Sequence, residues 1–197
     1  MKLLFIICTL VAADSAVAAN YEDNILHGEH QLASDFTSVE EMLWVKKQNP
    51  KTNNVPGTRC QAMLKLRFMG GNRFQYIIYF SPPNLRPTVT AFVTTLTTGI
   101  TGNRYYHNTL SYKATQRGQV GLFKLMYADK QNGCFILVTS RRRRERGCRL
   151  LQTSRTVDLP IPDECNRVFA QNCPRDVQEI YHSFCGARLP KIVQWGQ

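Results

Sequence analysis

Between Met42 and Ser154 short runs of Val, Ile, Thr, Tyr and Phe alternate with clusters of Gly, Pro, Asn and Ser. That is the pattern of strands joined by tight turns. About eight strands are predicted: Met42 to Gln48, Arg59 to Met69, Arg73 to Phe80, Thr88 to Thr98, Arg104 to Lys113, Gln119 to Ala128, Cys134 to Ser140 and Cys148 to Ser154. In the second, Met63, Lys65 and Arg67 oppose Ala62, Leu64, Leu66 and Phe68, giving one wet face and one buried face. In the third, Phe74, Tyr76, Ile78 and Phe80 share a face, but both faces are apolar, so alternation leaves the inward one open. Gly70-Gly71-Asn72 and Gly102-Asn103 read as hairpin turns.

The expected fold class is all-β: an antiparallel meander closed into an eight-stranded barrel that holds one small ligand, with a two-sheet sandwich as the alternative. Ser34 or Asp35 is placed to cap a short N-terminal helix running to Glu41. After the last strand, Asp163 to Asn172 and Asp176 to Phe184 are predicted helical, the latter with Val177, Ile180, Tyr181 and Phe184 on one stripe. This C-terminal helical part is expected on the outside of the barrel. No internal repeat or linker interrupts the chain.

The termini and cysteines add the compartment. Met1-Lys2, an apolar run from Leu3 to Ala13 and the small residues ending Ala16-Val17-Ala18 form the pattern of a secretory signal peptide, residues 1–18. A single domain, residues 19–197, follows. Its removal would take Cys8 away, leaving an even set of six cysteines suited to an oxidising, extracellular setting. The formal net charge of +11 would be unchanged, since Lys2 and Asp14 leave together. Such a charge draws anionic partners without choosing among them. Membrane insertion, nucleic acid and a cofactor are not expected, and a monomer is.

Enzyme chemistry finds no support. His27, His30, His107 and His182 form no helical metal pair with a third ligand, no nucleophile elbow or phosphate loop occurs, and bridged cysteines leave no thiol nucleophile. The run Arg141, Arg142, Arg143, Arg144, Glu145, Arg146 is either a basic patch for an acidic glycan or host protein, or a solvated hairpin tip.

Several motifs resemble the tick salivary lipocalins of the histamine-binding family. They are Leu43-Trp44-Val45-Lys46-Lys47 with Arg59-Cys60, cysteines opening the last two strands (Cys134 and Cys148), Ile161-Pro162-x-x-Cys165 and Tyr181-x-x-x-Cys185. The resemblance spans nearly all of residues 19–197 and implies a lipocalin-type barrel. It implies disulfides Cys60–Cys185 and Cys134–Cys165, which leaves Cys148 with Cys173. It also implies a secreted scavenger that sequesters a small-molecule host mediator such as histamine, serotonin, a leukotriene or a fatty acid.

Among those ligands the residues favour an apolar or anionic lipid. A buried amine needs a carboxylate or an aromatic cage, yet Met42 through Ala128 contains no Asp or Glu. Where amine-binding relatives carry an acid after the last-strand cysteine, this chain has Cys148-Arg149-Leu150-Leu151. The family's acidic-Ala-Trp element is matched only loosely, by Asp35-Phe36. A fatty acid would have its carboxylate pinned by Arg or Lys at the mouth and its tail against Phe68, Phe74, Tyr76, Ile78, Phe80, Phe92, Leu96 and Leu125. The amine alternative uses Asp35, Glu40 or Glu41 at the mouth with Trp44. The candidate ligand-binding set is therefore Phe36, Glu41, Trp44, Phe68, Phe74, Tyr76, Ile78, Phe92 and Leu125.

Overall fold

The structure is a computed structural model that describes residues 20–49, 58–81, 89–139 and 146–188. The signal-peptide segment and Arg141 to Arg144 lie outside the described residues.

Strands β1 (Leu43–Gln48), β2 (Arg59–Phe68), β3 (Arg73–Ser81), β4 (Thr90–Gly99), β5 (Thr109–Lys113), β6 (Val120–Asp129), β7 (Cys134–Thr139) and β8 (Cys148–Thr153) run antiparallel in chain order. β8 returns to β1, and β1 pairs with β2, so the sheet closes into a barrel with no free edge between them. The strand expected over Arg104 to Lys113 begins only at Thr109. Upstream of it Asn108 clamps the loop, its Oδ1 accepting from Thr101 N–H at 2.9 Å. The β2–β3 hairpin turns through Gly70 and Gly71 at φ 93° and 62°, a region other residues enter reluctantly.

The N-terminal segment crosses the outside of β6 as two 3-10 turns, Tyr21–Asp23 and Ile25–His30, and then enters α1 (Ala33–Thr37), shorter than the helix expected to Glu41. Phe36 of α1 is fully buried and meets Phe135 edge-on at 5.5 Å, plugging one end of the barrel. Cations hold this segment down. Arg104 donates to Gln31 Oε1 at 2.7 Å and to the Asn24 carbonyl at 3.0 Å. Lys124 pairs with Asp23, and Lys65 with Glu40. Arg146 forms an ion pair with Glu22, the two side chains being buried together. Burial pushes the Glu22 carboxyl above its ordinary range while the guanidinium opposes that shift.

Beyond β8, α2 (Asp163–Asn172) forms over the expected residues and lies on the outer faces of β6 and β7. Its Cys165, Val168 and Phe169 cover Ile136, Val138 and Leu150. Disulfides Cys134–Cys165 and Cys148–Cys173 staple it there. The helix expected over Asp176 to Phe184 is replaced by β9 (Gln178–Glu179) and a 3-10 turn, Ser183–Arg188. The reason lies in the seam of the barrel. β1 and β2 pair only at Leu43↔Met63 and Trp44↔Ala62 and then part, which exposes backbone donors and acceptors. The incoming segment satisfies them: β9 pairs with Lys47 and Gln48, Ile180 N–H donates to the Lys46 carbonyl, and Cys60 N–H donates to the Ile180 carbonyl. The third disulfide, Cys60–Cys185, fastens this wedge.

Two outcomes follow. Replacing both Cys60 and Cys185 by Ser is expected to cost about 5 kcal/mol on the chain-entropy account, against about 3.7 kcal/mol for Cys134 with Cys165, because the first pair closes the longer loop. Urea unfolding of the two variants checks the order, and an equal loss contradicts it. Glu22→Ala, which leaves Arg146 buried without its partner, is expected to cost about 3 to 5 kcal/mol, with Glu22→Ala/Arg146→Met regaining much of it.

Candidate ligand site at the Arg149 end of the barrel

Side chains in a strand alternate between faces, and the outer staples fix which is which. Cys148 and Leu150 face out under α2, so Arg149 and Leu151 face in. In the same way Phe135 and Leu137 point inward between Cys134, Ile136 and Val138. Arg149 pairs in register with Gln48, the last residue of β1, which places it at the end of the barrel opposite α1.

Arg149 is 3% exposed. Its Nη2 donates to Gln61 Oε1 at 3.1 Å and its Nη1 to the Tyr112 hydroxyl at 3.3 Å, while its guanidinium lies 5.5 Å from the centre of the Phe123 ring. Gln61 is itself aimed by donating to the Thr58 carbonyl at 3.2 Å. Nε of Arg149 has no hydrogen-bond partner, and no carboxylate pairs with the group among the described residues. Beside it is a void of about 10 Å³, walled by Val45, Met63, Ile78 and Tyr112, with room for about one water-sized group. A guanidinium fork held by neutral partners is suited to a carboxylate.

The sequence-derived residues divide. Tyr76, Ile78 and Leu125 are buried in the interior cluster, Phe36 joins them from α1, and Phe74 and Phe92 are partly buried against it. Phe68 does not line the interior: it is 60% exposed at the end of β2 and leans on Phe74 at 5.2 Å. Trp44 points outward, because Leu43 and Val45 take the inner face of β1. It packs edge-on against Tyr181 at 5.2 Å, in the cluster under the C-terminal wedge. Glu41 sits at the α1 end, where it accepts from Arg155 N–H at 2.9 Å, outside the interior. Arg146 is not part of an exposed basic tip, since its side chain is buried against Glu22.

Arg149, Gln61 and Tyr112 were not anticipated. The signal that would have found Arg149 was present: a cysteine bridged to an outer helix commits its strand neighbour to the inside.

The family model for tick histamine binding protein matches residues 27–187. No curated protein sequence matches the chain. Among solved structures, Japanin from Rhipicephalus appendiculatus bound to cholesterol is 18% identical with a TM-score of 0.56, covering 72% of this chain and 92% of that one. The AM182 serotonin complex is 14% identical at a TM-score of 0.54, with 84% and 90% covered. Lobster apocrustacyanin A1 is 11% identical at 0.56, with 82% and 86% covered. At these identities the structures share the fold, and the family is one of ligand-binding lipocalins, not of enzymes. The chain belongs to the tick histamine-binding protein family, built on a lipocalin barrel.

Proposed function

We propose that this protein is a secreted scavenger whose barrel takes up a hydrophobic carboxylate, a fatty acid or an oxidised relative of one, with Arg149 as the group that pairs with the acid. The observation that carries this reading is the buried guanidinium with no carboxylate beside it among the described residues. Taking such a charge out of water costs several kcal/mol unless a counter-charge is supplied. A ligand carboxylate supplies it, and Gln61, Tyr112 and Phe123 hold the guanidinium ready in the meantime. The void beside Arg149 has room for about one water-sized group, such as a carboxylate oxygen, so the acyl chain requires side chains around it to move. Phe80 and Phe92, partly exposed and in edge-to-face contact at 6.0 Å, are placed to do so.

The AM182 complex holds serotonin, but an amine in this barrel would meet a cation. Glu22, the one buried acid among the described residues, is consumed by Arg146. Glu40 is held by Lys65, and Glu41 by the backbone of Arg155. Secretion rests on the signal-like residues 1–18, on the three disulfides, and on membership of a family that is salivary. No described helix is long and apolar enough to cross a membrane.

Calorimetric titration of the purified protein with oleic acid, arachidonic acid, histamine and serotonin tests the reading. The acids are expected to saturate and the amines not to bind. Arg149→Met is expected to weaken acid binding by about 10 to 100-fold, the loss of a charge-assisted hydrogen bond. The same variant is expected to melt at or above the parent temperature, since an unpaired charge has been replaced by an apolar side chain of similar length. Tight amine binding, or acid binding that survives Arg149→Met unchanged, would sink the proposal.

A further inference from the structure

A second polar group in the interior has no partner. The Tyr76 side chain is 1% exposed and lies in the inner cluster with Ile78, Leu96 and Leu125, yet its hydroxyl makes no hydrogen bond. Native interiors rarely keep such a group, because Phe fills nearly the same volume without the stranded oxygen. Neighbouring interior hydroxyls are already engaged. Thr94 Oγ1 accepts from Lys113 N–H at 3.3 Å, Thr98 bonds His107, and Tyr112 accepts from Arg149. Burial raises the Tyr76 phenol well above its ordinary range, so it stays protonated and acts as a donor. Glu40 and, less strongly, Tyr112 are near enough to act on it electrostatically. Arg149 and Tyr112 at one end of the barrel and Tyr76 in the inner cluster are thus polar groups among largely apolar interior side chains.

Building on the Arg149 reading, we propose that Tyr76 is a specificity-determining residue: its hydroxyl donates to a second oxygen on the ligand, so the barrel selects a hydroxy or oxo fatty acid over the plain acid. The hydroxylated acid gains a hydrogen bond that the plain acid cannot make, and the stranded hydroxyl is relieved only by that ligand.

The test compares stearic acid with its monohydroxylated forms, and arachidonic acid with its monohydroxylated forms, on the parent, Tyr76→Phe and Arg149→Met proteins. The parent is expected to bind at least one hydroxylated acid on the order of tenfold more tightly than its plain counterpart. Tyr76→Phe is expected to abolish that preference while holding the plain acids within about twofold of the parent. It should melt no lower than the parent, since only an unpartnered oxygen is removed. A parent without preference, a preference unchanged in Tyr76→Phe, or a lowered melting temperature overturns the inference. If plain acids bind and Arg149→Met weakens that binding about 10 to 100-fold, the Arg149 reading stands even then; if no acid binds, both fail.

Discussion

Everything at the Arg149 end of this barrel depends on the strict alternation of strand side chains, locked by disulfides on the outer face. Cys134 and Cys148 are stapled to the α2 region, which lies outside the sheet. Once those positions face outward, a one-residue slip of either strand would carry its whole apolar set to the wrong side. Phe135, Leu137, Leu151 and Arg149 are therefore held inside with the same firmness. For the three apolar residues this is ordinary packing. For Arg149 it forces a cation into the interior that hydrophobicity alone would expel.

The surroundings of that cation show how a charge is tolerated without being neutralised. Gln61 and Tyr112 satisfy part of its donor fork and the Phe123 face lies beneath the guanidinium, but none of them carries a formal negative charge. Elsewhere buried charge is handled differently. Arg146 meets Glu22 directly, and together they tie the N-terminal segment to the start of β8. The contrast is informative because the two arginines are three positions apart in sequence. One is consumed by architecture, and the other is kept available.

Much of the barrel was legible in the sequence because its signals are local. Turn glycines, β-branched runs and cysteine positions mark β1 to β8, and Asp163 to Asn172 carries its own helical period. The failures arise where distant chain segments decide. Val177, Ile180, Tyr181 and Phe184 have helical spacing, but the unfilled seam between β1 and β2 offers the segment more hydrogen bonds as an extended strand. Trp44 was read as a ligand contact because it is aromatic and near the start of the barrel. The outward face of β1 is nevertheless apolar too, roofed by Tyr181 and the Cys60–Cys185 region. Phe68 is the third of the exposed residues with which β2 ends, and no local pattern marks where its covered part stops at Lys65. Arg149 stands out in the sequence only as the residue that replaces an acid, and its inward direction escapes a local reading because a cation in a strand is normally assigned to solvent.

The wedge at the seam also dictates an order of events. β1 and β2 are among the first strands to be synthesised, but the residues that complete their hydrogen bonding, 178–180, and the Cys185 that fastens them lie more than a hundred residues later. The barrel is consequently like a ring whose clasp is the last piece made. Until that piece arrives, the first two strands present open backbone and Cys60 remains a free thiol. Completion of the fold, and with it a shielded interior, waits for residues 178 to 185.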